Sequence, residues 1–224
     1  CLNCHRSHSA PTGERLLKDG QGQRPVCLNC HSGAPDLGLV SLEREFGAPY
    51  AHDVLRLGAK HDALENLQQR GELLDGRHGR RPDRHVHCAD CHSAHGTAAG
   101  THGQGTNVVS PSLNGATGLR LSYGGAAWDR PEYQFLPAGA SYEYEICAKC
   151  HSYFSWGSFP PLATRRGRQT DATVEFNPNN ASFHAVIGES RAGPRGTYVS
   201  PWKHNSRMYC SDCHGMQRGS KGAH

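Results

Sequence analysis

Long apolar stretches are missing from this sequence. No run of 18 apolar residues occurs anywhere in its 224 positions, so no transmembrane helix is expected. Methionine is nearly absent, at two residues, and aromatics reach only 8%. Hydrophobic residues make up 36% of the chain and the mean hydropathy is −0.67. Glycine and proline contribute 27 and 13 residues. A large aliphatic core is therefore excluded, and a loop-rich chain of this kind needs covalent or cofactor staples.

Cysteine and histidine are plentiful instead, at ten and sixteen residues. All ten cysteines fall in five CxxCH motifs: Cys1-Cys4-His5, Cys27-Cys30-His31, Cys88-Cys91-His92, Cys147-Cys150-His151 and Cys210-Cys213-His214. This is the signature of covalent c-type haem attachment. Two thiols add to the two vinyl groups of one porphyrin, and the next residue offers its imidazole to the iron. CxxC pairs also build zinc sites and redox or structural disulfides. None of those requires histidine next in sequence. Five covalently bound haems are expected, with the porphyrins serving as the core of a mostly irregular chain of short α-helices and little β.

The formal charge is +4. Ten ionised propionates on five haems would carry it to about −6, so the basic balance of the bare chain is no sign of nucleic acid. Arg80-Arg81 and Arg165-Arg166-Gly167-Arg168 read as solvated faces. Haem is attached to c-type proteins outside the bacterial cytoplasm. A removed secretion signal is expected, and the chain reads as the ordered part of a longer molecule.

The first cysteines of successive motifs are 26, 61, 59 and 63 residues apart. The spacing suggests a haem module at 1–95, a Gly/Pro-rich connection at 96–146 and a two-haem module at 147–224. Helices are expected at Ser41–Phe46, from Asp62 to Leu74, and as short turns around each motif. Residues 96–141 read as loop. Tyr123, Trp128, Tyr133, Phe135, Tyr142 and Tyr144 are expected to pack on haem faces or at a subunit interface.

Sixteen histidines less the five in motifs leave eleven, from which five second axial ligands would be drawn. Met208 and Met216 both lie within three residues of a motif, so bis-histidine ligation is the economical expectation. His8 and His95 extend two motifs to CHxxH. Three residues past the proximal ligand is too near to reach the opposite face of the same haem, but a neighbouring iron is within range.

CLNCHRSHSAPTGERLL followed by RPVCLNCHSG resembles the doubled-CxxCH module of multihaem cytochromes, and HVHCADCHSAHGT looks like a second such start. YEYEICAKCHS, EFNPNNASFHAV and MYCSDCHG are similar to secreted multihaem cytochromes of metal-reducing bacteria. The resemblance implies the same ligand role for the second histidine of CHxxH, at His8 and His95. It implies distal ligation by His52, in a segment similar to SHPV, by His184, in one similar to FHPV, and by His224, in a remnant of GPHGS. His61, His78, His85, His87, His102 and His204 are left as polar neighbours, with His102 and His204 the alternates.

The expected function is electron conduction through a chain of haems. The resemblance implies a subunit of an extracellular or cell-surface filament, since some members of that group polymerise. Its partners would be further copies of the chain and redox proteins or extracellular acceptors. The alternatives are a discrete periplasmic electron-transfer cytochrome and a multihaem reductase. The second needs an open iron position and a pocket, while all five motifs end in histidine. No catalytic residue is assigned.

Overall fold

The computed structural model of the chain describes residues 2–6, 8, 10, 16–18, 23–33, 41–42, 46, 51–52, 54, 86–156 and 171–214. Cys1, His224 and the helix expected from Asp62 to Leu74 lie outside the described residues. The described chain is mostly irregular. Its helices are α1 (Gln23–His31), α2 (Cys88–Cys91), α3 (Glu143–Ala148), α4 (Ala172–Glu175) and α5 (Cys210–Cys213). None of them is long and apolar enough to cross a membrane.

One antiparallel hairpin joins these turns, with β1 at Gly118–Ser122 and β2 at Glu132–Leu136. It corrects the expectation that 96–141 is loop. Leu119 and Leu121 alternate with Arg120 and Ser122, and pair across with Phe135 and Tyr133. That period-two pattern buries one face. The glycine- and proline-rich signal belongs to the irregular segment before β1, to the connection between the strands and to the turn after β2.

Leu119 is fully buried and packs with Leu121, Tyr144, Ala148 and Val186. Each large apolar side chain so buried stabilises the fold by about 2 kcal/mol. Gly118 sets how closely β1 approaches α3. A Cβ there would lie 2.7 Å from the Ala140 Cβ and 3.1 Å from the Glu145 Cβ. A small protein core therefore exists alongside the motifs.

Polar side chains fasten the rest. Asp171 caps α4 by accepting the Thr173 N–H at 2.9 Å. Asn177 Nδ2 donates to the carbonyls of Ala126 and Asp129 at 3.0 and 3.1 Å. Asn180 Oδ1 accepts the Trp128 N–H at 2.7 Å, holding that exposed residue at a positive φ of 63°. Of the other aromatics, Tyr123 donates to the Thr173 carbonyl at 2.7 Å, and Tyr142 stacks on Tyr144.

Candidate cofactor-attachment site

Four of the five motifs share one local design. The histidine N–H donates to the carbonyl of the first cysteine, at 2.9 Å in Cys88–His92, 3.0 Å in Cys147–His151 and 2.9 Å in Cys210–His214. The second motif, Cys27 to His31, forms the end of α1. One helical turn thus sets both thiols and the imidazole of a motif close together. An acidic residue starts three of these turns. Asp90 accepts the His87 N–H at 2.6 Å, Asp212 that of Tyr209 at 2.8 Å, and Glu145 those of Ser141 and Tyr142 at 2.7 and 3.1 Å. Each satisfies backbone donors that the turn leaves open. The first motif is instead a turn pinned to 16–18, with Arg6 N–H on the Leu16 carbonyl and Lys18 N–H on that of Cys4.

The motifs lie against one another. α1 packs on α2, α2 on α3 and α3 on α5. The Cys27 thiol is hydrogen bonded to Cys88, which together with burial pushes its pKa far above the usual thiol range. The Cys147 thiol is likewise bonded to Cys210 and pushed up. Burial raises Cys91 to about 11 and Cys150 to about 12. These buried thiols are held neutral. All described cysteines are unbridged.

Two motif histidines face histidines from outside their motif. The rings of His5 and His95 have centres 6.1 Å apart and planes 21° from parallel. Those of His52 and His151 are also 6.1 Å apart, tilted by 52°. A metal–imidazole bond is about 2 Å long, so two rings on opposite sides of one iron have centres about 6 Å apart. The spacing fits one iron between each pair. His151 has its pKa lowered by the surrounding protein and by His52 and His214, which favours the neutral imidazole that metals bind. His92 Nδ1 lies 2.8 Å from the Ser112 carbonyl. Donation there leaves Nε2 as the free lone pair, the usual support of a ligating histidine. The ring spacing thus fits one iron at the first motif and one at the fourth.

Other candidates are placed differently. His8 and His184 are exposed, and neither pairs its ring with a described histidine. His102 packs on Tyr209 with ring centres 4.2 Å apart and planes tilted by 37°, its Nε2 3.7 Å from Asp212 Oδ1.

Comparison with protein-family models, curated proteins and solved structures finds no match for this chain.

Two buried charges outside the ligand set tie neighbouring motifs together. Lys149, inside the fourth motif, sends Nζ to the Asp90 carbonyl of the third at 2.5 Å and to Thr117 Oγ1 at 2.9 Å. Glu143, at the start of α3, accepts the N–H and hydroxyl of Ser211, inside the fifth motif, at 2.9 and 2.8 Å. A Glu143 oxygen and the Cys147 and Cys210 sulfurs all lie within 4.8 Å of one another. That triad has metal-ligand chemistry, but both its sulfurs belong to CxxCH motifs. The sequence signal for these residues was slight: a charge between the cysteines of one motif, and another four residues before Cys147.

Proposed function

We propose that the chain is a pentahaem c-type cytochrome that conducts electrons and catalyses no reaction of its own. The observation that carries the reading is the spacing of the histidine pairs. His5 with His95, and His52 with His151, stand 6.1 Å apart at the ring centres, the separation of two imidazoles sharing one iron. Cys1 through Cys213 would hold the haems by thioether bonds, with His5, His31, His92, His151 and His214 as proximal ligands. Haem iron supplies the one-electron chemistry. The polypeptide fixes position and surroundings: one helical turn presents each described set from the second motif to the fifth, and contacts between turns keep successive motifs adjacent. Filling both axial positions with histidine leaves no site for substrate, which favours conduction over a reductase.

The resemblance to secreted cytochromes extends the proposal to a place outside the cytoplasm and to a repeating assembly of copies. Denaturing mass spectrometry of the native protein tests the core of it. The expected mass is the chain plus five haems with no titratable thiol. Bound zinc, disulfides or fewer haems would overturn it. Electron microscopy of native material tests the assembly, and discrete single copies would remove the filament.

A further inference from the structure

Lys149 and Glu143 are 6% and 5% exposed, yet among the described residues neither has a partner of opposite charge. The Lys149 ammonium is held by a backbone carbonyl and a threonine hydroxyl. The Glu143 carboxylate is held by the N–H and hydroxyl of one serine. Among the described residues no carboxylate lies within ion-pair distance of the first, and no lysine or arginine within that distance of the second. Buried charges are ordinarily paired, because leaving water costs several kcal/mol per ion. A buried charge held only by neutral dipoles also keeps its field, since little water screens it.

The two charges sit at successive junctions in the row of motifs. Lys149 acts on Cys91 and Cys150, at the junction of the third and fourth motifs, where Asp90 opposes it and Glu143 adds the smallest of the effects on Cys91. Glu143 lies against Cys147 and Cys210, at the junction of the fourth and fifth. Asp212 adds a second carboxylate inside the fifth motif, with His102 as its ion-pair neighbour. The third–fourth junction thus holds a buried ammonium against its carboxylates, while the fourth–fifth junction holds carboxylates and, among the described residues, no lysine or arginine within ion-pair distance of Glu143.

Resting on the pentahaem reading, we infer that Glu143 and Lys149 set a gradient of reduction potential along the row, lowest at the fifth motif and rising toward the third. Net charge and burial are among the levers that set haem potential. A carboxylate beside the fifth attachment disfavours an added electron there. An ammonium at the next junction favours one. As an electron passes inward, the iron at the fifth motif is oxidised from Fe(II) to Fe(III) and the iron at the fourth is reduced from Fe(III) to Fe(II). No other reactant is required. The gradient gives conduction a preferred direction, toward the N-terminal motifs.

The test is a potentiometric titration of the holoprotein, with each haem followed by the NMR signals of its methyl groups. Glu143→Gln keeps the shape and an acceptor for Ser211. It is expected to raise the reduced-to-oxidised ratio of the haems at the fourth and fifth motifs at least tenfold at fixed potential, which is 59 mV for one electron. Lys149→Met is expected to lower that ratio at the third and fourth motifs by a similar factor. Ser211→Ala removes hydrogen bonds without changing charge and is expected to shift neither. Shifts below tenfold, shifts of the same sign in both charge variants, or an equal shift in Ser211→Ala would overturn the inference. If Glu143→Gln fails to load the fifth haem, Asp212→Asn carries the same expectation, and no upward shift at the fifth motif overturns it. The haem count of the unsubstituted protein separates this outcome from failure of the pentahaem reading: five haems with flat potentials removes only the gradient.

Discussion

The imidazoles of His5 and His95 lie together across 90 positions of sequence, their ring centres 6.1 Å apart and their planes 21° from parallel. Each follows a CxxC pair, but in a different role. His5 ends the first motif, while His95 comes three residues after the end of the third. On the proposed pentahaem reading, the third motif would hold its own haem through His92 and reach the first through His95. In the holoprotein, His95→Ala is expected to leave all five haems attached and one iron without its second nitrogen. About a fifth of the haem should turn high-spin and bind one equivalent of cyanide or carbon monoxide. Optical and paramagnetic resonance spectra check this, and an unchanged low-spin spectrum would show that His95 ligates nothing.

His52 makes the corresponding case at the fourth motif, facing His151. His52→Ala should also open one iron to exogenous ligand. The His52→Ala/His95→Ala double variant should open two, because the pairs use different motifs and share no residue, and such sites add independently. Ligand titration counts the open sites. A single equivalent in the double variant would mean that one pair is only a ring contact.

The helical turns of the motifs were legible because their cause is local. A histidine four residues after a cysteine closes one turn, and an acid just before the second cysteine, at Asp90 and Asp212, caps it. The hairpin was hidden because alternation at Leu119–Leu121 and Tyr133–Phe135 spans only a few residues and is flanked by glycine and proline. The axial partners were legible only in part. CHxxH marks His8 and His95 alike, yet of these two only His95 stands against a described motif histidine. Chain folding between motifs decides that, and no local pattern encodes it. The links from Lys149 to Asp90 and from Glu143 to Ser211 span 59 and 68 residues. They show in the sequence merely as charged residues near cysteines.

Alkaline pH should loosen the hairpin region. Burial, and then the Glu145 carboxylate, raise Tyr144 to about 12 from an ordinary 10. Burial also pushes Tyr123 and Tyr133 upward. A raised phenol keeps its proton in the folded chain while the unfolded chain gives it up. Its contribution is therefore complete below pH 10 and is lost as pH rises from there through about 12. Each such tyrosine adds a slope of about 1.4 kcal/mol per pH unit within that window. Tyr144→Phe is expected to flatten the fall in Tm between those pH values, whatever its effect at neutrality. Melting curves on both proteins test this, and parallel pH profiles would contradict it.

Asp171 ties together three segments beside the fourth motif. It is fully buried. One oxygen accepts the Tyr133 hydroxyl at 2.5 Å and the Tyr153 N–H at 3.0 Å, and the other accepts both the N–H and the hydroxyl of Thr173. These donors come from β2, from the turn just after His151, and from α4. A carboxylate buried without water is tolerated when several donors converge on it. Asp171→Ala would leave those donors buried and unpaired, at a cost of about 3 kcal/mol or more. Asp171→Asn keeps the shape and one acceptor oxygen, but its amide meets donors where the carboxylate met none to oppose it, so an intermediate loss is expected. The hydroxyl of Tyr133 tests the route: Tyr133→Phe removes one donor and leaves the carboxylate its other three, so it should cost only about 1 kcal/mol. Denaturant unfolding of the three variants ranks them. Equal losses for Asp171→Ala and Tyr133→Phe would mean that the carboxylate matters only through that one bond.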